Sequence, residues 1–257
     1  MNAILQVSRY IYQHNPWYSV PFKFVQAFVY QLRKRFVQHL STKKLFNGYK
    51  SYLFAHNPIT SALVYTDIPD KTEIYALRKF ADSETIFLDI GANVGLYCLF
   101  LADIVKDFYA FEAHPETAKC CKMNFALNNL NENRLIEMAV SNNNTPIYFS
   151  NKDKASPINH IVNSKEDAIT VMATTLDQFV QSCDFNKETK FILKIDVEGH
   201  EYEVFEGAKA FLQHHAIKAI IFESFSVKNN EIIALLQALG FKTQPIGSNN
   251  ILAFKQA

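Results

Sequence analysis

The stretch from Ile86 to Ala102, IFLDIGANVGLYCLFLA, constrains this chain more than any other. An apolar run of strand length ends at a carboxylate, Asp89. A loop of small residues follows, Gly91-Ala92-Asn93-Val94-Gly95, and then an apolar run of helical length. Glycines at 91 and 95 let the backbone turn tightly and approach a ligand closely. The spacing is not that of a dinucleotide loop, G-x-G-x-x-G, because Asn93 stands at the middle glycine. Asp89 would repel a pyrophosphate but suits an ammonium or sulfonium group. Glu112 follows 23 positions later, at the end of the next apolar run, DFYAFEA. A carboxylate there can accept hydrogen bonds from ribose hydroxyls. S-adenosylmethionine carries a ribose, an ammonium and no phosphate, and fits this pair better than a nicotinamide dinucleotide does.

The rest of the chain supplies the partners such a unit needs. TIFLDI, DFYAFEA, RLIEMAV, KFILKIDV and IKAIIFES read as strands. Val94 to Val105, PETAKCCKMNFALNNL, EYEVFEGAKAFLQHH and NNEIIALLQALG read as helices, the second with Pro115 in its first turn and the last closed by Gly240. PIYFS and AITVMATTL predict an inserted hairpin or edge strands, with a polar loop at 151–167. FKTQPI and NILAFK, separated by GSNN, predict a closing hairpin. Alternating buried strands and helices mean an α/β, doubly wound, mostly parallel sheet, with ligands at the carboxyl ends of its strands.

Charge divides the chain. Residues 1–66 hold eight Lys and Arg and no Asp or Glu, which leaves 18 basic against 25 acidic residues in 67–257. The boundaries expected from this are a basic, aromatic-rich helical segment over 1–66 and the cofactor-binding domain over 67–257. Within the basic segment Phe22, Val25, Phe28, Val29, Leu32, Phe36 and Leu40 recur at helical spacing. The plainer expectation is a helix packed on the folded domain. The sharper one is residues 20–50 resting on an anionic membrane. No apolar run is long enough to span a bilayer. The start has no compact apolar core of a secretory signal. Cys98, Cys120, Cys121 and Cys183 show neither metal-ligand nor CxxC spacing, so thiols in a reducing cytoplasm are expected, with the inner face of a membrane as the peripheral site.

The second dense motif is FILKIDVEGHEYEVFEGAKAFL, Phe191 to Leu212. With LDIGANVGLY, FEAHPE and TLDQF, it resembles the FkbM family of S-adenosylmethionine-dependent methyltransferases over roughly 75–255. That resemblance implies a class I methyltransferase sheet, Rossmann-like, with a reversed last strand. It implies O-methylation of a sugar, glycan or related metabolite hydroxyl. It places Asp89, Gly91, Asn93 and Gly95 at the methionine part, with Ala92 inside the same loop, and Glu112 at the ribose. Ala113 and His114 would edge the adenine, as would Ser141 and Asn142, where many relatives carry aspartate at the second position.

A neutral hydroxyl gains from a base when it attacks a methyl group. Asp196, at the end of its strand, is the first candidate for base or substrate orienter. His200 is the second, since an imidazole titrates near neutrality. Glu198 is the third, as a binder of substrate hydroxyls or a support for His200. Glu73, Glu223 and Asp177 carry less weight, though Glu223, ending IIFES, could also reach substrate. One short segment offers only part of a metal shell, so no metal site is expected. Nucleic acid is not expected either, as no D/N-P-P-Y or Pro-Cys type motif is present and residues 67–257 are acidic. A reading from another class is a catalytically silent S-adenosylmethionine-binding subunit that serves as an assembly or membrane-recruitment module. The acceptor's identity and the oligomeric state are not written in these motifs.

Overall fold

The computed structural model describes residues 3–36, 40–55, 57–150, 168–183, 185–224 and 228–255. The chain divides into two compact units between Lys71 and Thr72.

The first unit comprises α1 (Ala3–His14), α2 (Val20–Phe36), the antiparallel pair β1 (Ser41–Lys44) and β2 (Lys50–Leu53), and α3 (Pro58–Tyr65). Asn57 caps α3 by accepting from the Thr60 N–H, and Pro58 occupies the first helical position. Ile11, Val20, Ala27, Tyr30, Val64 and Tyr65 form a small core. Val20, Lys23, Ala27 and Tyr30, spaced by three, four and three, make the buried face of α2. Lys23 is buried because Asp67 accepts from its ammonium at 2.7 Å, and Asp67 also pairs with Lys43. The face the apolar spacing marked for packing is the outward one: Phe22, Val25, Phe28, Val29 and Leu32 are exposed. Ala27 and Lys23 carry little apolar weight in a periodicity reading, yet small size and an ion pair let their side pack. Leu40 lies beyond the helix and is also exposed.

The second unit begins in α4 (Lys71–Phe80) and is built on a sheet of seven strands. Along the chain come β3 (Thr85–Ile90), α5 (Leu96–Leu101), β4 (Asp107–Phe111), α6 (Pro115–Leu127), β5 (Leu135–Ile136), β6 (Ala139–Val140), β7 (Ile147–Ser150), β8 (Ala168–Val171) and β9 (Ala173–Thr174). Then follow α7 (Leu176–Ser182), β10 (Lys190–Ile195), α8 (Glu201–Glu206), α9 (Lys209–His214), β11 (Ala216–Glu223), α10 (Asn229–Ala238), β12 (Lys242–Ile246) and β13 (Asn250–Phe254). The order across the sheet is β12-β13-β11-β10-β3-β4-β5. Its β5 to β11 part is parallel, and β13 runs antiparallel between β11 and β12. This is the class I methyltransferase order with its reversed last strand. All six residues of β3 are buried, as a central parallel strand covered on both faces requires.

Three expected elements come out differently. The helix expected over 94–105 is Leu96–Leu101, because Gly95 takes a left-handed conformation before it and Ala102 ends it. RLIEMAV is not one strand: Leu135–Ile136 pairs with β4, and after two residues Ala139–Val140 pairs with β9. The helix expected over 201–215 breaks into α8 and α9 at Gly207. A side chain at Gly207 would come within 2.0 Å of the Ser141 carbonyl oxygen, so β6 and the helix break are fitted to each other. The hairpin of β7 and β8 forms as expected, and its loop at 151–167 lies outside the described residues. Among the described residues no helix is long and apolar enough to cross a membrane.

Candidate functional site

The loop at 91–95 leaves β3 and is pinned to the end of β4. The Phe111 carbonyl accepts from both the Gly91 and Ala92 N–H groups, at 3.0 and 2.9 Å. Gly91, Asn93 and Gly95 have φ of 80°, 53° and 76°. Gly91 is required on two counts. Its backbone is left-handed, and a side chain there would meet the Asp196 carbonyl oxygen at 1.8 Å. The same contact shows that the two motifs singled out by sequence touch, with the Asp196 N–H donating to Ile90. A side chain at Gly95 would meet Cys121 and Phe125 of α6 at 2.7 and 2.8 Å.

Glu112 uses both carboxylate oxygens locally. One accepts from the Asn93 N–H and the other from the His114 N–H, each at 2.8 Å. It therefore ties the loop to the end of β4, and each oxygen keeps a further lone pair for a ligand hydroxyl. Its deep setting pushes its pKa up to about 7, against the pull of those two donors. Asp89 lies fully buried beneath the loop. One oxygen accepts from the Cys98 thiol at 3.5 Å, and the other has no hydrogen-bond partner among the described residues. Burial raises its pKa to about 6, with Lys194 and Cys98 opposing. A buried carboxylate under the loop, with one oxygen lacking a hydrogen-bond partner among the described residues, disfavours a phosphate ligand and favours a cationic one, so these residues fit a sulfonium and ammonium ligand. Ala113 packs on the small cluster of Ala139, Val171 and Ala173. His114 is buried at the start of α6, and burial lowers its pKa.

The second motif follows β10. Asp196 accepts from the Lys194 ammonium at 2.8 Å, and that ammonium also lies 4.6 Å from the Tyr97 ring centre. Glu198 is exposed and left-handed, φ 55°, beside Gly199 at φ 95°. His200 sits between Ser141, whose hydroxyl lies 2.9 Å from Nε2, and Glu203, 3.4 Å from Nδ1. Burial lowers its pKa, so the ring is neutral near pH 7. Asn142 donates to Glu206, so the structure places Ser141 and Asn142 against α8.

Two contributors, Glu201 and Asn124, carried little or no signal in the sequence, and Glu223 carried a weak one. Glu201 is fully buried, and one of its oxygens accepts from the Val197 and Gly199 N–H groups, which fixes the turn bearing Glu198. An acid two residues after a glycine at a helix start is the only hint of this. Asn124 of α6, also buried, donates to the Val94 carbonyl at 2.8 Å and braces the loop. Glu223 follows the last paired residues of β10 and β11, Ile195 and Phe222, so it stands beside Asp196 on the neighbouring strand end. One of its oxygens is buried without a hydrogen-bond partner among the described residues. Burial first, then the nearby Asp196, Glu198 and Glu201, push its pKa up to about 7.

Glu73 and Asp177 serve the fold. Glu73 accepts from Asn250, and Asp177 caps α9 by accepting from the Ala210 and Phe211 N–H groups. Among the described residues no group of three His, Cys, Asp or Glu is arranged to hold a metal ion.

A model of the methyltransferase FkbM domain matches residues 89–243, from the carboxylate beneath the loop into β12. The chain is similar to the hexuronic acid methyltransferase AglP of Haloferax volcanii, 27% identical over 148 residues, 54% of this chain and 56% of that protein. It thus spans about half the length of the curated relative it matches. Among solved structures it is similar to methyltransferase FkbM from Methylobacillus flagellatus KT, at 11% identity and TM-score 0.47, covering 76% of this chain and 52% of that one. It is also similar to an rRNA methylase from Streptococcus thermophilus, at 15% identity and TM-score 0.42, covering 72% and 95%.

Proposed function

Because this chain belongs to the FkbM methyltransferase family, we propose that it methylates a hydroxyl of a sugar or glycan. The family's donor, S-adenosylmethionine, supplies the methyl group on a sulfonium that departs as a neutral thioether. Glu112 and the 91–95 loop bind that donor, and buried Asp89 favours its positive charge. The observation that carries the proposal is the contact of Gly91 with Asp196, which brings a donor loop and a carboxylate pair to adjoining strand ends. A sugar acceptor is supported by the name of the Haloferax relative, a hexuronic acid methyltransferase.

Two carboxylates side by side divide the work. Asp196, which already accepts from the Lys194 ammonium, accepts a hydrogen bond from the acceptor hydroxyl and orients its oxygen. Glu223 takes the hydroxyl proton as the oxygen gains the methyl group. A base works best with a pKa near the working pH, and burial among like charges puts Glu223 there. His200 holds the turn through Ser141 and Glu203, and exposed Glu198 offers its carboxylate to further acceptor hydroxyls.

The test is methyl transfer from labelled donor to a panel of glycosides that includes hexuronic acids. Glu223→Gln should cut turnover by roughly a hundredfold or more while S-adenosylhomocysteine affinity stays within a few-fold. Wild-type turnover should climb as pH rises through about 7, where Glu223 loses its proton, and this limb should vanish in the variant. Near-normal turnover in Glu223→Gln ends the proton-acceptor role. Failure to methylate any sugar, with donor binding intact, ends the acceptor assignment.

A further inference from the structure

The outward face of α2 has no place in the chemistry above. Val20, Lys23, Ala27 and Tyr30 pack inward. At 100° per residue, Phe22, Val25, Phe28, Val29 and Leu32 occupy one arc on the opposite side. Phe22, Val25 and Phe28 expose 62%, 60% and 66% of their surface. Trp17, 85% exposed, and Tyr18 stand in the turn that leads into the helix. A contiguous apolar face of this kind marks an interaction site, since scattered single residues are the norm on a surface.

The charge around it selects the partner. Arg33 is exposed beside this arc, and Arg9, Lys34 and Lys44 are exposed elsewhere in the same unit. No acid precedes Asp67, and Asp67 is engaged by Lys23 and Lys43. A second copy of this chain would set one acid-free basic segment against another. A surface of anionic headgroups over hydrocarbon answers both the cations and the apolar arc, and Trp and Tyr favour that boundary. We propose that the outward face of α2, with Trp17 and Tyr18, seats this protein on anionic lipid bilayers.

Trp17 is the only tryptophan in the chain, so its fluorescence reports the contact directly. The experiment mixes the full-length protein with phosphatidylglycerol–phosphatidylcholine vesicles, then with pure phosphatidylcholine vesicles, and follows flotation and the emission maximum. The expected result is flotation with a blue shift on the anionic vesicles at low salt, reversed by high salt and absent on the neutral ones. Each cation near such a surface is worth about a factor of five, so Arg33→Gln should weaken partitioning by about fivefold. Val25→Glu with Phe28→Glu should abolish it. Should that pair fail to fold, the wild-type emission and Arg33→Gln still decide. No flotation and no shift at low salt overturns the proposal. So does a concentration-dependent dimer, dissociated by Val25→Glu with Phe28→Glu, that ignores vesicles.

Discussion

Helices α5 and α2 are both rich in large apolar residues, and they meet opposite fates. All six residues of α5 are buried, while α2 buries one narrow face and shows five apolar side chains on the other. The difference lies in what the surrounding chain can supply. Next to α5 stand β3 and β4, and α6 presses Cys121 and Phe125 against Gly95 at its start. Helix α2 belongs to a unit of about seventy residues, whose small core takes Val20, Ala27 and Tyr30 from it, with half-buried Phe24 packed against them. A short chain cannot wrap every apolar surface it carries. Apolar periodicity therefore says that a helix has a face, and its neighbours decide whether the face is core or contact surface.

Truncating both helices gives the sharpest version of this contrast. Phe100→Ala in α5 removes a fully buried ring and should cost about 3–5 kcal/mol in urea unfolding. Phe28→Ala in α2 should change stability by no more than about 0.5 kcal/mol. Equal losses at the two positions would break the comparison and bury α2's outer face. A smaller effect concerns the polar device on α2's inner face. Asp67→Asn takes the counter-charge from buried Lys23, and the same unfolding curves should show a loss of about 1–2 kcal/mol.

A pH dependence belongs to the buried carboxylates of the second unit. Glu112 and Glu223 bind a proton more tightly in the fold than in the unfolded chain, since their pKa values rise from 4.5 to about 7. The folded state then holds more protons than the unfolded one between these values, so stability falls as pH rises through 7. Glu112 alone accounts for about 1 kcal/mol between pH 6 and 8. Glu112 alone should lower the melting temperature of ligand-free protein by roughly 2–4 °C between pH 6 and pH 8, a shift that Glu112→Gln should remove. A flat profile would mean that these groups titrate as they do in water.

The β3-loop-α5 unit and the parallel sheet were legible because buried strands and a glycine turn leave dense local signals. Asp89, Glu112 and Asp196 were legible as candidates because they end strands. The division of α8 from α9 was not, since Gly207 answers to a carbonyl sixty-six positions away in sequence. Glu201, Asn124 and the pairing of Glu223 with Asp196 were hidden for the same reason: each acts through a contact that only the assembled sheet creates. The outward face of α2 was visible as a stripe, but its direction depended on an ion pair and a small alanine that carry no apolar signal.

Calorimetric titration with S-adenosylhomocysteine, with NAD as control, decides whether the loop at 91–95 with Glu112 is a methyl-donor site. The expected result is micromolar binding of S-adenosylhomocysteine, none of NAD, and a loss of at least a hundredfold in Gly91→Ala, where a methyl group would strike the Asp196 carbonyl. Binding of NAD instead, or undiminished S-adenosylhomocysteine binding in Gly91→Ala, would contradict it.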